Sequence, residues 1–232
     1  MIYLAIIAIA FARLNTSQII LVETAKWGDL HATLNMYQYS GSWNLVDSFP
    51  VNVGISGMGW GESSYTPERI KVGPLKQEGD MRAPAGVFPV YDAFGEASVP
   101  DANFIKLRYF ATSKLLRCVD DSKSQYYNKF LIGRQVDWAS DEQMWSSNGL
   151  YKWGLVVEHN TVQITPTLGS CVFFHIWRGY LNGTSGCTAM EEPNLLKLLN
   201  WLDPKYTPFI IQVPMEATRY ILEEYPELNR IL

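Results

Sequence analysis

Apolar and polar positions along this chain alternate mostly with the two-residue period of half-buried strands. Residues 32–39, Ala-Thr-Leu-Asn-Met-Tyr-Gln-Tyr, follow that period, Ser40-Gly41-Ser42 interrupts it and residues 43–47 resume it, which predicts a β-hairpin. Residues 18–23 predict the preceding strand, and further strands are expected at 87–91, 104–110, 115–119, 155–158, 171–176 and 209–213. Between them, Gly54-Ile55-Ser56-Gly57-Met58-Gly59-Trp60-Gly61 is glycine-rich and predicts a long surface loop, and residues 73–86 continue as loop. The helical period is confined to a few places. Ser140-Asp141-Glu142-Gln143 has the spacing of a capping box and predicts a short helix. Pro193 suits a first helical turn, Leu195, Leu196, Leu198, Leu199 and Leu202 form an apolar stripe, and Pro204 ends it. An amphipathic pattern over 216–228 predicts a surface helix or a frayed tail. With no internal repeat and no linker, the pattern describes one β-rich domain with peripheral helices, spanning about 18–213, and a helical tail at 214–232.

Residues 2–12 stand apart as an unbroken apolar run ending in Ala10-Phe11-Ala12. Its length and small-residue end fit a secretory signal over 1–12 or a short anchor, although no Lys or Arg precedes it; a buried first strand or helix is the other reading. Nothing beyond Ala12 suggests a second membrane segment.

Composition narrows the function classes. In 232 residues, 47% are hydrophobic and 18% charged, which describes a folded protein with enough apolar surface for a core. A formal net charge of −4 and no dense Lys/Arg run give no electrostatic footprint for nucleic acid. The three cysteines, Cys118, Cys171 and Cys187, allow a Cys118–Cys171 bridge with Cys187 free, or three buried thiols.

The candidate chemistry lies in Cys171-Val172-Phe173-Phe174-His175-Ile176-Trp177-Arg178-Gly179 and Thr184-Ser185-Gly186-Cys187-Thr188. His175 closes a strongly β-forming run. Cys187 follows small residues and precedes the Leu-rich helix, so one loop with Gly179 and Gly183 can bring imidazole and sulfur together at a strand end and a helix entry. A thiolate is the nucleophile in acyl transfer, and a neighbouring imidazole can take its proton, stabilise it as the imidazolium partner and later protonate a leaving amine. Amides around Gly186, Cys187 and Thr188 are candidates to hold an oxyanion. Other thiol chemistries fit poorly. Pro193 stands where a phosphatase-type Cys-x5-Arg would carry its Arg, and papain-like enzymes place Cys before His. No metal site is expected, because Cys-x-x-Cys is absent and His31, His159 and His175 are scattered.

With these residues in view, the chain resembles the L,D-transpeptidase catalytic domain, the YkuD family. The family signature, His in a strand followed by a loop and Ser/Thr-x-Gly-Cys, is matched by His175 and Thr184-Ser185-Gly186-Cys187. The segment Gly79-Asp80-Met81-Arg82-Ala83-Pro84-Ala85-Gly86-Val87-Phe88 is similar to the family's Gly-Asp…Thr-Pro-x-Gly-x-Phe, with Ala83 for Thr. Two departures mark a divergent branch: Ser185 replaces the second His of Ser-His-Gly-Cys, and Thr188-Ala189 follows the Cys.

The resemblance implies a β-sandwich or barrel-like domain, with Cys187 attacking an L,D peptide bond of a peptidoglycan stem tetrapeptide, a thioester intermediate, and His175 as base and then acid. An amine on a second stem would resolve the thioester into a cross-link. No cofactor is required, since one amide is exchanged for another, and this suits an exported protein of the periplasm or cell envelope. L,D-carboxypeptidase trimming of stems, and a wall-binding or scaffolding protein with an idle Cys/His pair, are the alternatives. Among secondary candidates, Arg178 suits a substrate carboxylate or solvent, Trp177 a pocket wall or packing, and Ser185 a thiolate neighbour or a turn. Asp80 and Arg82 are expected to brace their loop. Asp120, Asp121 and Tyr127 suit either a cleft lining or a surface loop.

Overall fold

The computed structural model describes residues 14–67, 72–133, 137–145 and 148–232; the apolar run at 2–12 lies outside them. Fourteen strands are described: β1 (Gln18–Thr24), β2 (His31–Tyr39), β3 (Trp43–Asn52), β4 (Met58–Trp60), β5 (Ala83–Pro89), β6 (Asp92–Gly95), β7 (Arg108–Ala111), β8 (Leu116–Val119), β9 (Phe130–Ile132), β10 (Asp141–Gln143), β11 (Trp153–Val156), β12 (Phe173–Ile176), β13 (Thr188–Met190) and β14 (Phe209–Pro214). Helix α1 (Glu192–Trp201) follows β13 and α2 (Thr218–Glu224) follows β14. The fold is mainly β with peripheral helices.

Eleven strands form one sheet in the order β4-β5-β14-β1-β2-β3-β13-β12-β11-β6-β7, and β10-β8-β9 form a second, small sheet. Side chains from far-apart strands of the large sheet, such as Val87 and Ile210 from one half and Leu155 and Phe174 from the other, share one core. That is possible only if the sheet curls over itself, as in a sandwich. At its centre β1 carries Ile19, Ile20, Leu21 and Val22, all fully buried. A continuous apolar run of this kind belongs to a strand covered on both faces, here between parallel β14 and antiparallel β2. In β2, Ala32, Leu34 and Met36 point inward while polar neighbours alternate outward.

Helix α1 buries Leu195, Leu198 and Leu199 against β11 and β12, so the leucine stripe closes the core behind the strand carrying His175. The C-terminal segment packs Ile221, Tyr225 and Leu228 into the same core.

Several local expectations are corrected. Residues 58–60 of the glycine-rich stretch form a buried strand, β4, parallel to β5, rather than a surface loop. Its glycines serve close approach: a Cβ on Gly57, at φ +79°, would stand 1.9 Å from the Trp27 carbonyl oxygen. Residues 83–86, expected as loop, already belong to β5. The strand expected over 104–110 is limited to β7. The capping-box segment is not a helix: Asp141–Gln143 is β10, antiparallel to β8. There the Asp141 carboxylate accepts the Trp138 indole N–H at 2.6 Å and meets Arg117 at 3.3 Å, and Met144 is fully buried. Tertiary partners outweigh the local helix signal.

Cys118 of β8 and Cys171, just ahead of β12, form a disulfide that ties the small sheet to the large one; Cys187 is free.

Candidate active site

The site begins with strand alternation in β12. Phe174 and Ile176 face the main core, which leaves Phe173 and His175 on the opposite side. There Phe173 joins a second, smaller core with Phe94, Leu116, Met144 and both bridged cysteines, and Cys187 packs against it. Strands β12 and β13 are parallel neighbours in the register Phe174↔Thr188 and His175↔Ala189, so the loop between them returns Cys187 to the side of β12. Cys187 therefore precedes a short strand, not a helix as expected; α1 starts five residues later.

The sulfur is held by β12 and by Cys171, two residues ahead of it. The Phe173 N–H donates to Cys187 Sγ at 3.4 Å, and Sγ lies 3.8 Å from the Cys171 carbonyl oxygen it can donate to. Behind it, Gly186 adopts φ +146°, and a Cβ there would come within 2.9 Å of the Arg82 carbonyl oxygen. Only glycine meets both demands. Thr184 closes the turn, its hydroxyl donating to the Cys187 carbonyl at 2.6 Å and accepting the Gly186 N–H at 3.1 Å. The rest of the loop is clamped by the fully buried Asn52, whose amide nitrogen lies 2.8–3.2 Å from the carbonyls of Gly179, Tyr180 and Asn182.

His175 Nδ1 stands 2.7 Å from the Ile176 carbonyl oxygen. A carbonyl only accepts, so Nδ1 carries the proton and Nε2 of the neutral ring keeps its lone pair. Tyr151 packs edge-on against the ring at 5.3 Å. Burial lowers His175 to about 4, opposed by the Ile176 carbonyl and aided by the positive charge of Arg178. Burial likewise raises the Cys187 thiol to about 12; the Phe173 N–H and Lys76 oppose the shift, and Glu142 adds to it. The resting groups are a thiol and a neutral imidazole, not the thiolate and imidazolium expected, and no hydrogen bond joins the two among the described residues. Cys187 nonetheless stays partly exposed.

Both side chains line a cleft of about 270 Å³. Of the other expected residues, Ser185, Arg178 and Trp177 also line it. Trp177 additionally packs edge-on against Tyr180 at 5.9 Å. Gly186 and Thr188 lie behind the cleft. The Gly186 N–H is taken by Thr184, and the buried Thr188 hydroxyl donates to Gln212 Oε1 at 2.5 Å. Asp80 and Arg82 brace their loop: Asp80 accepts from the Gln77 and Arg82 amides and from Lys76 Nζ at 2.6 Å, and Arg82 donates to the carbonyls of Ser56 and Met58. Asp121 caps the Lys123 and Ala139 amides. Tyr127, also outside the cleft, donates to Glu78, which accepts Ser170 as well. Sequence reasoning missed Asn52, the nearly buried Lys76, and two residues of the cleft wall, Glu142 and Tyr151. Glu142 falls in the segment whose spacing predicts a helix, and the others reach the site through contacts that local spacing does not encode.

The model of the YkuD family, described as the L,D-transpeptidase catalytic domain, matches residues 28–211, a span that includes His175, Cys187 and the loop braced by Asp80. The chain belongs to the YkuD family. Members of this L,D-transpeptidase family act in general on peptidoglycan peptides. No curated protein matches the sequence. Among solved structures, the YkuD chain is similar to that of Bdellovibrio bacteriovorus Bd1075, with a TM-score of 0.41 and 11% identity over 93% of this chain and 55% of the other. It thus spans about half the length of that chain. Among the described residues of this YkuD protein, no helix is long and apolar enough to cross a membrane.

Proposed function

We propose that the protein is an exported L,D-transpeptidase of the cell envelope that uses Cys187 as nucleophile and His175 as general base and acid. The observation that carries this reading is the shared cleft, lined both by a free thiol and by an imidazole whose Nδ1 is engaged by a carbonyl, which leaves Nε2 as the basic nitrogen. Because the resting pair is neutral, proton transfer accompanies attack. His175 Nε2 takes the thiol proton as sulfur bonds to the carbonyl carbon of the penultimate stem residue. With the Gly186 amide engaged, the Cys187 amide is the donor left for the developing oxyanion. The C–N bond to the terminal D-alanine then breaks, His175 returns the proton to the leaving amine, and a thioester remains. An amine of a second stem, contributed by a diamino acid, attacks the thioester, gives its proton to His175 and restores the thiol. In this reading Arg178 grips a substrate carboxylate, while Trp177 and Ser185 shape the cleft wall. Export is supported by the Cys118–Cys171 disulfide, which suits an oxidising compartment, and the apolar run at 2–12 acts as the signal or anchor.

Incubating the purified protein with stem tetrapeptides and separating the products tests the reading. A cross-linked dimer, with D-alanine released, is expected from wild type and not from Cys187→Ala. Trimmed monomers without dimer would make water the acceptor and the enzyme an L,D-carboxypeptidase, and unchanged stems would refute catalysis.

A further inference from the structure

One charged group of the cleft has no role in the mechanism above. Glu142 lies on β10, opposite Cys118 in the β8 register, so the Cys118–Cys171 bridge anchors it to the same structure that holds Cys187. Its carboxylate lines the cleft with Cys187, His175 and Arg178. Among the described residues, that carboxylate accepts a hydrogen bond from the Tyr151 hydroxyl at 3.3 Å, long for a hydroxyl donor. Among the described residues, no ion pair engages either Glu142 or Arg178, although seven others are formed. Burial, then the nearby negative charges of Asp120, Asp141 and Glu78, disfavours its ionised form, and Tyr151 only partly offsets them. A partly desolvated carboxylate among like charges is unfavourable unless a cation arrives. The cleft thus offers to one ligand a half-buried carboxyl group and an exposed guanidinium, neither of them in an ion pair among the described residues. That pair is complementary to a group bearing both an ammonium and a carboxylate, as the side-chain end of a diamino dicarboxylic acid does.

We infer that Glu142 is a specificity-determining residue that receives the side-chain ammonium of a diamino dicarboxylic acid in the stem peptide, with Arg178 receiving the carboxylate beside it. This assignment rests on the functional reading above. It is tested by binding to Cys187→Ala, which cannot turn over, of two synthetic stem tetrapeptides that differ only in whether the side-chain amine of the diamino acid is free or N-acetylated. Acetylation should weaken binding at least about tenfold in Cys187→Ala, the worth of one charge-assisted hydrogen bond, and less than about twofold once Glu142→Gln is added. Glu142→Asp, which keeps the charge, should retain part of the discrimination and guards against misfolding of the Gln variant. Equal discrimination with and without Glu142, or none in Cys187→Ala alone, overturns the assignment while leaving the functional reading intact. A protein that binds neither stem overturns the functional reading and this assignment with it.

Discussion

At the scale of single residues, the chemistry follows from what burial does to two titrating groups. Taking an imidazole and a thiol out of water penalises the charged form of each, so His175 falls to about 4 and Cys187 rises to about 12. A base with so low a value is already unprotonated through the mildly acidic range. The rate of acylation by a stem peptide should therefore rise through an acidic limb near pH 4 and then level off, as measured by rapid-quench kinetics. A limb near 6.5, the ordinary value of imidazole, would contradict the assignment. The same shifts predict slow alkylation of Cys187 by iodoacetamide at neutral pH and a rise toward alkaline pH, because the reagent captures thiolate without help from a base. His175→Ala should lower acylation by roughly 10²–10⁴-fold, the usual contribution of general base catalysis. The Tyr151 hydroxyl is also pushed upward, first by burial and then by Cys187 and Glu142, so it remains a neutral donor in this cleft.

At the scale of elements, the site depends on the loop between β12 and β13, which Asn52, Thr184 and Gly186 fix at three points. Gly186→Ala meets both a left-handed φ and the Arg82 carbonyl at 2.9 Å. It should destabilise the fold by roughly 1–3 kcal/mol and displace the sulfur, with acylation falling more than stability. Denaturant unfolding paired with acylation kinetics separates the two effects, and an unchanged acylation rate would contradict the packing described. Elements with a strong period of their own were legible in the sequence. β1 showed as an apolar run, β2 and β3 as alternation around Ser40-Gly41-Ser42, and α1 as a leucine stripe behind Pro193. Strands β4, β9, β10 and β13 are three residues long, too short to show a period, and they exist through their neighbours. The capping-box spacing at Ser140 misled because Trp138 and Arg117 claim Asp141. His175 and Cys187 were legible because one loop carries both. Glu142 and Asn52 were not, since each reaches the site across a long sequence separation.

At the scale of the whole molecule, a curled sheet and a small satellite sheet are joined by a bridge spanning 53 residues, and the cleft lies where they meet. Closing a loop of that length constrains the unfolded chain by about 4 kcal/mol. Reduction should lower the denaturant midpoint accordingly and impair the site, because Cys171 adjoins the sulfur's anchor; equal midpoints with and without reductant would contradict this. The family match covers most of the chain and the fold places thiol and imidazole in one cleft, so the central claim is that Cys187 becomes covalently acylated. Intact-mass spectrometry of the protein mixed with a stem tetrapeptide tests that claim most directly. The account predicts a gain equal to the stem less its terminal D-alanine on wild type, delayed in His175→Ala and absent from Cys187→Ala. An unmodified wild type, or an adduct that survives in Cys187→Ala, would contradict it.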